Sequence, residues 1–218
     1  MSLTTGRVPE EWKTAVVIPV HKKGGRSDAG NYRPVSLLSA TSKVLEKIVA
    51  AQLSKHIAPF LPTNQSGSRK ADSAVPQLNR IVHTLQQGLD NSKTVLAVFY
   101  DLSKAFDMVW HEGLLKKLSH LGLRNSALSW LRDYLTDRRQ CVQINGIKSA
   151  WRSVSAGVPQ GSILGPLLFL IYTHDLPYAI QGPVECDQFA DDTALISIHD
   201  QRATALRNLQ ESVDRTSL

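Results

Sequence analysis

Apolar residues recur along this chain in two rhythms, one near 3.6 residues and one near 2, and the changes of rhythm outline its elements. Residues 15–20, AVVIPV, read as a strand interrupted by Pro19 that opens into the loop HKKGGRSDAGNYRP at 21–34. Val44, Leu45, Ile48, Val49, Leu53 and Ile57 predict an amphipathic helix over 41–57. Val75, Leu78, Ile81, Val82, Leu85 and Leu89 predict another over 72–89, with Asp72 or Ser73 placed to cap it. Between 94 and 101, TVLAVFYD is almost unbroken in apolar residues, the pattern of a strand buried on both faces, and it stops at Asp101.

Helical stripes resume at Leu114, Leu115, Leu118 and Leu121, then at Leu128, Leu131 and Leu135. In QCVQINGIKSAWRSV (140–154), Asn145-Gly146 separates two alternating runs and predicts a hairpin. The Gly- and Pro-rich SAGVPQGSILGP (155–166) leads into an apolar helix, LLFLIY. CDQFADDTALISI (186–198) sets Asp191 and Asp192 at a tight turn between two β-prone runs, and Ala203, Leu206, Leu209 and Val213 predict a last helix. This order describes an α+β fold in which a small, mainly antiparallel sheet carries helices on one face. It also allows Asp101 and the aspartate pair to share one sheet edge, the placement on which the functional reading depends.

Composition narrows the classes. The 218 residues with 42% hydrophobic content suffice for one substantial domain or two subdomains. A net charge of +6 and a pI near 9.4 permit a polyanionic partner. Two distant cysteines and scattered histidines signal neither a disulfide framework nor a structural zinc site, so an intracellular, reducing compartment is expected, nucleus and cytoplasm not being distinguished. MSLTTGRVPEEWK lacks the apolar centre of a signal peptide, and ILGPLLFLIY is short of the ~20 residues of a membrane helix, so no membrane partner is expected.

The chemistry concentrates in few places. Adjacent carboxylates repel by roughly a few kcal/mol, which a divalent cation relieves; the plainer alternative is a solvated acidic turn. Magnesium takes one or two carboxylates plus waters and phosphates, and a pair of such ions suits in-line displacement at phosphorus. The loop at 21–34 offers Lys22, Lys23, Arg26 and Arg33 among glycines that let backbone approach a phosphate, or else is a solvated turn. Gln160, between Pro159 and Gly161, can donate and accept at once against a base or sugar. Arg138 and Arg139 stand either as phosphate contacts or as a solvated helix end.

Five blocks in order, PEEWKTAVVIPVHKKG, NYRPVSLLSATSKVLEKI, FYDLSKAFDMVWH, GVPQGSILGPLLFLIYTHDLP and QFADDTAL, resemble the reverse transcriptase domain of non-LTR, LINE-type retrotransposons over residues 8–200. The resemblance implies a right-hand polymerase fold, with residues 1–90 as fingers, 91–218 as palm with some fingers elements interleaved, and the chain stopping before the thumb. It implies RNA-directed DNA polymerase activity with two Mg²⁺ ions, or Mn²⁺ in their place, and with an RNA template, a DNA primer and dNTP as partners. Asp101, Asp191 and Asp192 would be catalytic, with Asp101, the Leu102 carbonyl and Asp191 as metal ligands. Lys22, Lys23, Arg33, Phe106, Gln160 and Gly161 would bind nucleotide, Phe106 by excluding a ribose 2′-hydroxyl, while Asp107 would cap a helix. Arg69 and Lys70 would contact template, beside serines at 66 and 68 where the family commonly has aromatic residues. The alternative is an inactive, truncated remnant that at most binds nucleic acid. A metal-dependent phosphatase or nuclease would use the three carboxylates but not Phe106 or Gln160.

Overall fold

The computed structural model describes residues 2–67, 73–102, 104–180 and 182–216. Its helices are α1 (Ser2–Thr5), α2 (Ala40–Ile57), α3 (Ala74–Asp90), α4 (His111–His120), α5 (Asn125–Leu135), α6 (Leu164–Thr173), α7 (Leu176–Ala179) and α8 (Arg202–Thr216). Its strands are β1 (Thr14–His21), β2 (Tyr32–Leu37), β3 (Gln65–Ser66), β4 (Thr94–Asp101), β5 (Arg138–Ile144), β6 (Ile147–Lys148), β7 (Arg152–Val154), β8 (Val184–Phe189) and β9 (Asp192–His199). The fold is the α+β mixture that the hydrophobic pattern implied. Its two compact units interleave along the chain, residues 1–60 with 104–172 and residues 61–103 with 173–218.

In the first unit, β1 pairs antiparallel with β2 and parallel with β5, and β5 also pairs with β6 and β7. Pro19 does not interrupt β1: it sits opposite Pro34, so the two residues without N–H groups share one rung. Asn145 and Gly146 turn β5 into β6 with both φ angles positive, as the hairpin signal required. Buried leucines of α4 and α5, together with Trp130 and Tyr134, supply much of the interior. Helix α6 is apolar all round and Leu167 to Ile171 are all buried.

The orientation of α2 differs from the expectation. Its buried positions are Ser42, Glu46, Leu53 and Ile57, while Val44 and Ile48 face solvent. The helix has been turned because a carboxylate is needed inside, as shown below.

The second unit is a four-stranded sheet in the order β3-β8-β9-β4, antiparallel except for the short β3–β8 pairing. Helices cover both faces, not one. Ile81 of α3 packs with Ala194 and Ile196 on one side, and Leu209 of α8 with Cys186 and Leu195 on the other. Arg80 of α3 reaches the buried Asp187 of β8 at 2.8 Å, and Thr84 reaches Glu185 at 3.0 Å. These contacts rotate α3 so that Gln77, Ile81, Thr84 and Gly88 are buried, leaving Val75, Leu78, Val82 and Leu89 exposed. Strand β4 is likewise only half covered: Phe99 is 65% exposed, whereas the sequence read it as buried on both faces. Among the described residues no helix is long and apolar enough to cross a membrane.

Candidate active site

Strands β8 and β9 are joined by the two residues Ala190 and Asp191, since Phe189 pairs with Asp192. Ala190 takes a left-handed φ of 54°, which costs an L-residue about 1–2 kcal/mol. The turn is held from both sides. Ser66 accepts from the Ala190 N–H at 3.1 Å, and the Leu102 N–H donates to the Asp191 carbonyl at 3.3 Å. Gly67, with φ of 86°, lies so close that a Cβ there would stand 2.9 Å from the Ala190 nitrogen.

Through this turn the sheet register sets Asp101 opposite Asp192. Cross-strand partners share a face with Cβ atoms about 4.5–5.5 Å apart, so two carboxylates there repel by about 3 kcal/mol at an effective dielectric near 20. Asp101 and Asp192 are exposed and Asp191 is half-buried. The remote Asp101 therefore does meet the aspartate hairpin, and its direct cross-strand partner is Asp192 rather than Asp191. Among the described residues no three His, Cys, Asp or Glu side chains converge on one point. Beside the pair runs an open groove of about 530 Å³, lined by Val75, Leu78 and Ile81 of α3, Phe99 of β4 and Phe189.

One rung below, Tyr100, Thr193, Gln188 and Gln65 face each other across all four strands as a polar row. The amides of Gln65 and Gln188 are fully buried without a hydrogen-bond partner among the described residues. Burial raises the pKa of the Tyr100 hydroxyl above its usual value.

The first unit carries the remaining candidates. The 155–166 segment is stitched backbone to backbone: Gly157 donates to Val109 at 2.8 Å, Val158 to the Phe106 carbonyl at 2.7 Å, and Ser36 to the Gln160 carbonyl at 2.7 Å. His111 Nε2 lies 2.7 Å from the Gly157 carbonyl. Both glycines are required. Gly157 (φ 87°) would place a Cβ 2.7 Å from the Asp107 carbonyl oxygen, and Gly161 (φ 120°) 2.6 Å from that of Ser36. The Gln160 amide donates to Asp107 at 3.2 Å beside a cleft of about 190 Å³ that Ser36 and Arg139 also line. Asp107 thus accepts from Gln160 instead of capping a helix. The Phe106 ring stacks on Phe169 with centroids 4.9 Å apart.

Lys22, Lys23 and Arg33 are exposed on the β1–β2 hairpin. Their loop is ordered by its own bonds, Asn31 to the Gly25 carbonyl at 2.9 Å and Tyr32 to that of Arg26 at 2.8 Å. Arg138 is neither solvated nor free for a phosphate: it is buried, donates to the Tyr134 and Trp12 carbonyls, and lies over the Tyr134 ring. Arg69 and Lys70 lie outside the described residues.

Sequence reasoning missed Glu46. Its carboxylate is 1% exposed and accepts from the backbone N–H groups of Ile163 and Leu164, at 2.7 and 3.1 Å. The available signal was the Ser42-Glu46-Val49-Leu53-Ile57 stripe, which competes with the more apolar one on the same helix.

This fold has close structural likenesses. Telomerase from Candida tropicalis, in an apo form truncated from the C-terminal domain, matches with a TM-score of 0.65 over 95% of this chain and 47% of that chain, at 12% identity. The telomerase of Candida albicans, solved with a fragment of telomeric RNA, gives 0.61 over 95% of this chain and 42% of its own, also at 12% identity. At these identities the likeness concerns the fold alone, and it defines the class as the fingers-and-palm α+β architecture.

The sequence supplies the family. The profile described as Reverse transcriptase (RNA-dependent DNA polymerase) matches residues 20–217, and the chain belongs to that family. A probable RNA-directed DNA polymerase from transposon BS of Drosophila melanogaster is 38% identical over 212 residues, 93% of this chain and 23% of that protein. The RNA-directed DNA polymerase from mobile element jockey of the same species is 34% identical over 223 residues, 97% of this chain and 24% of its own. The non-LTR resemblance seen in the five motifs is thereby confirmed, and the chain spans about a quarter of the length of these curated relatives.

Proposed function

We propose that this chain contributes the nucleotidyl-transfer centre of an RNA-directed DNA polymerase, in which a primer 3′-hydroxyl attacks the α-phosphate of a dNTP and pyrophosphate leaves. The observation that carries the reading is the register pairing Asp101 with Asp192 at the open end of a sheet, immediately beside Asp191. An exposed cross-strand carboxylate pair suits a cation that keeps most of its waters, as magnesium does. Asp101, Asp191 and the Leu102 carbonyl would hold magnesium or manganese, with Asp192 completing the acidic group. Bound there, divalent cations supply charge neutralisation on the transferred phosphoryl group and make the attacking hydroxyl more acidic.

The chain's own side chains do the positioning. Lys22, Lys23 and Arg33 draw the triphosphate to the β1–β2 hairpin. Gln160, oriented by Asp107, and Gly161 meet base and sugar, while the Phe106 ring, braced on Phe169, rejects a 2′-hydroxyl. Arg69 and Lys70 contact the RNA template, and the net positive charge favours nucleic acid generally.

The test compares wild type with Asp191→Asn for incorporation of labelled dNTP on primed RNA, and for RNA affinity. Incorporation in the variant is expected to fall by about 100-fold or more, as on loss of one group stabilising transition-state charge, with RNA affinity kept. Equal RNA binding by both proteins with no Mg²⁺-dependent incorporation by wild type would favour the inactive, RNA-binding remnant instead.

A further inference from the structure

We infer that Glu46 is a positioning residue for the Gln160-Gly161 turn, acting through the first residues of α6. Its functional half rests on the polymerase reading above. The start of a helix exposes N–H groups that have no partner inside the helix. At α6 every one is accounted for. Ser162 N–H donates to the Pro159 carbonyl at 3.1 Å, and Gly165 N–H to the Ser162 hydroxyl at 2.8 Å. Ile163 and Leu164 donate to one oxygen of Glu46, and the next residue, Pro166, has no N–H. Ser42 donates to the other Glu46 oxygen at 3.1 Å.

A carboxylate at 1% exposure is expensive unless charge and hydrogen bonds answer it. Here the positive end of α6 answers it, and the buried Arg138 adds to the favourable field. Glu46 reaches this place only because α2 is rotated to bury it in preference to Val44 and Ile48. Just two residues separate Gln160 from Ile163. Over that span Gly161 abuts the Ser36 carbonyl and Ser36 donates to Gln160, so a displacement of α6's first turn has no slack in which to be absorbed. Fixing Ile163 and Leu164 therefore fixes where the Gln160 side chain emerges beside Asp107.

The experiment uses the full 218-residue chain with Glu46→Leu, which removes the acceptor, and Glu46→Gln, which keeps an acceptor of equal length without the charge. Hydrogen exchange is followed at Ile163 and Leu164 against β4 and β9 as internal reference, and kcat and KM for dNTP are measured on primed RNA. Glu46→Leu is expected to speed exchange at the two amides by about tenfold or more with the reference strands unchanged. It should raise the dNTP KM by about fivefold or more while kcat stays within about threefold, and Glu46→Gln should restore most of both. If Glu46→Leu does not fold, a smaller acceleration in Glu46→Gln, confined to the same amides, carries the inference.

Unchanged exchange at Ile163 and Leu164, acceleration spread evenly over the chain, or a fall in kcat at constant KM would overturn it. Failure of the polymerase reading looks different. If the wild-type chain incorporates nothing, that reading falls, and the exchange pattern alone decides whether Glu46 holds the turn.

Discussion

Replacing Gly157 by alanine should be among the most damaging single-methyl changes in the first unit. The residue sits at φ 87°, a left-handed conformation that costs an L-residue about 1–2 kcal/mol. Its new Cβ would lie 2.7 Å from the Asp107 carbonyl oxygen and 2.9 Å from both its carbonyl carbon and its Cα. Those are backbone atoms that no rotamer change can move, so overpacking adds about 1–3 kcal/mol, for a total of about 2–5 kcal/mol. Gly146→Ala provides the control in the same unit. Its φ is nearly the same at 83° but nothing lies within 4 Å, so it should lose the conformational part alone, about 1–2 kcal/mol. Equilibrium urea unfolding followed by circular dichroism measures both variants. Gly157→Ala should show the lower midpoint with an unchanged slope. Equal midpoints would show that the 157 segment moves away from Asp107 without penalty, and that the backbone there does not forbid a side chain.

Two further outcomes follow from the second unit. Arg80→Ala leaves the Asp187 carboxylate, whose side chain is 4% exposed, without the guanidinium that reaches it at 2.8 Å. Because Arg80 itself is 42% exposed, the expected loss is about 1–3 kcal/mol, and adding Asp187→Asn should recover much of it; a double variant no more stable than the single one would contradict this. Burial, and to a lesser extent Asp187, pushes the Cys186 thiol up from 9.0 to about 12, and burial raises Tyr100 from 10.0. As pH climbs past 9 the unfolded chain gives up the Cys186 proton while the folded chain keeps it, so this contribution to stability is complete below pH 9 and is lost on the way to about pH 12. Urea midpoints should therefore decline from pH 9 to 11, less steeply in Cys186→Ala, and a flat profile in both proteins would exclude the mechanism.

Local periodicity carried most of the element assignment. The rhythm of α3, the Asn145-Gly146 turn and the aspartate hairpin were all legible, because each is set by neighbours within a few residues. Which side of an amphipathic element turns inward was less legible. The apolar stripes of α2 and α3 and the run in β4 all looked core-facing, yet Val44, Leu78 and Phe99 are exposed. In α3 the Arg80–Asp187 and Thr84–Glu185 bonds turn the polar side toward the sheet, and in α2 the bonds of Glu46 do so. A hydrophobicity pattern weighs side chains one at a time and cannot see that a distant strand or helix end presents a charge needing a partner.

The candidate site divides along the same line. From the residues alone came the identity of the carboxylates, the Gly-rich segment around Gln160 and the family to which they belong, since motif chemistry is a property of short contiguous stretches. Only the folded chain decided that Asp101 faces Asp192 first, that Asp107 receives Gln160, that Arg138 is withdrawn into the interior and that Glu46 closes the start of α6. Each of those is a meeting of groups remote along the polymer. Such a meeting is fixed by strand register and by the requirement that every buried polar group be satisfied, neither of which any local window contains.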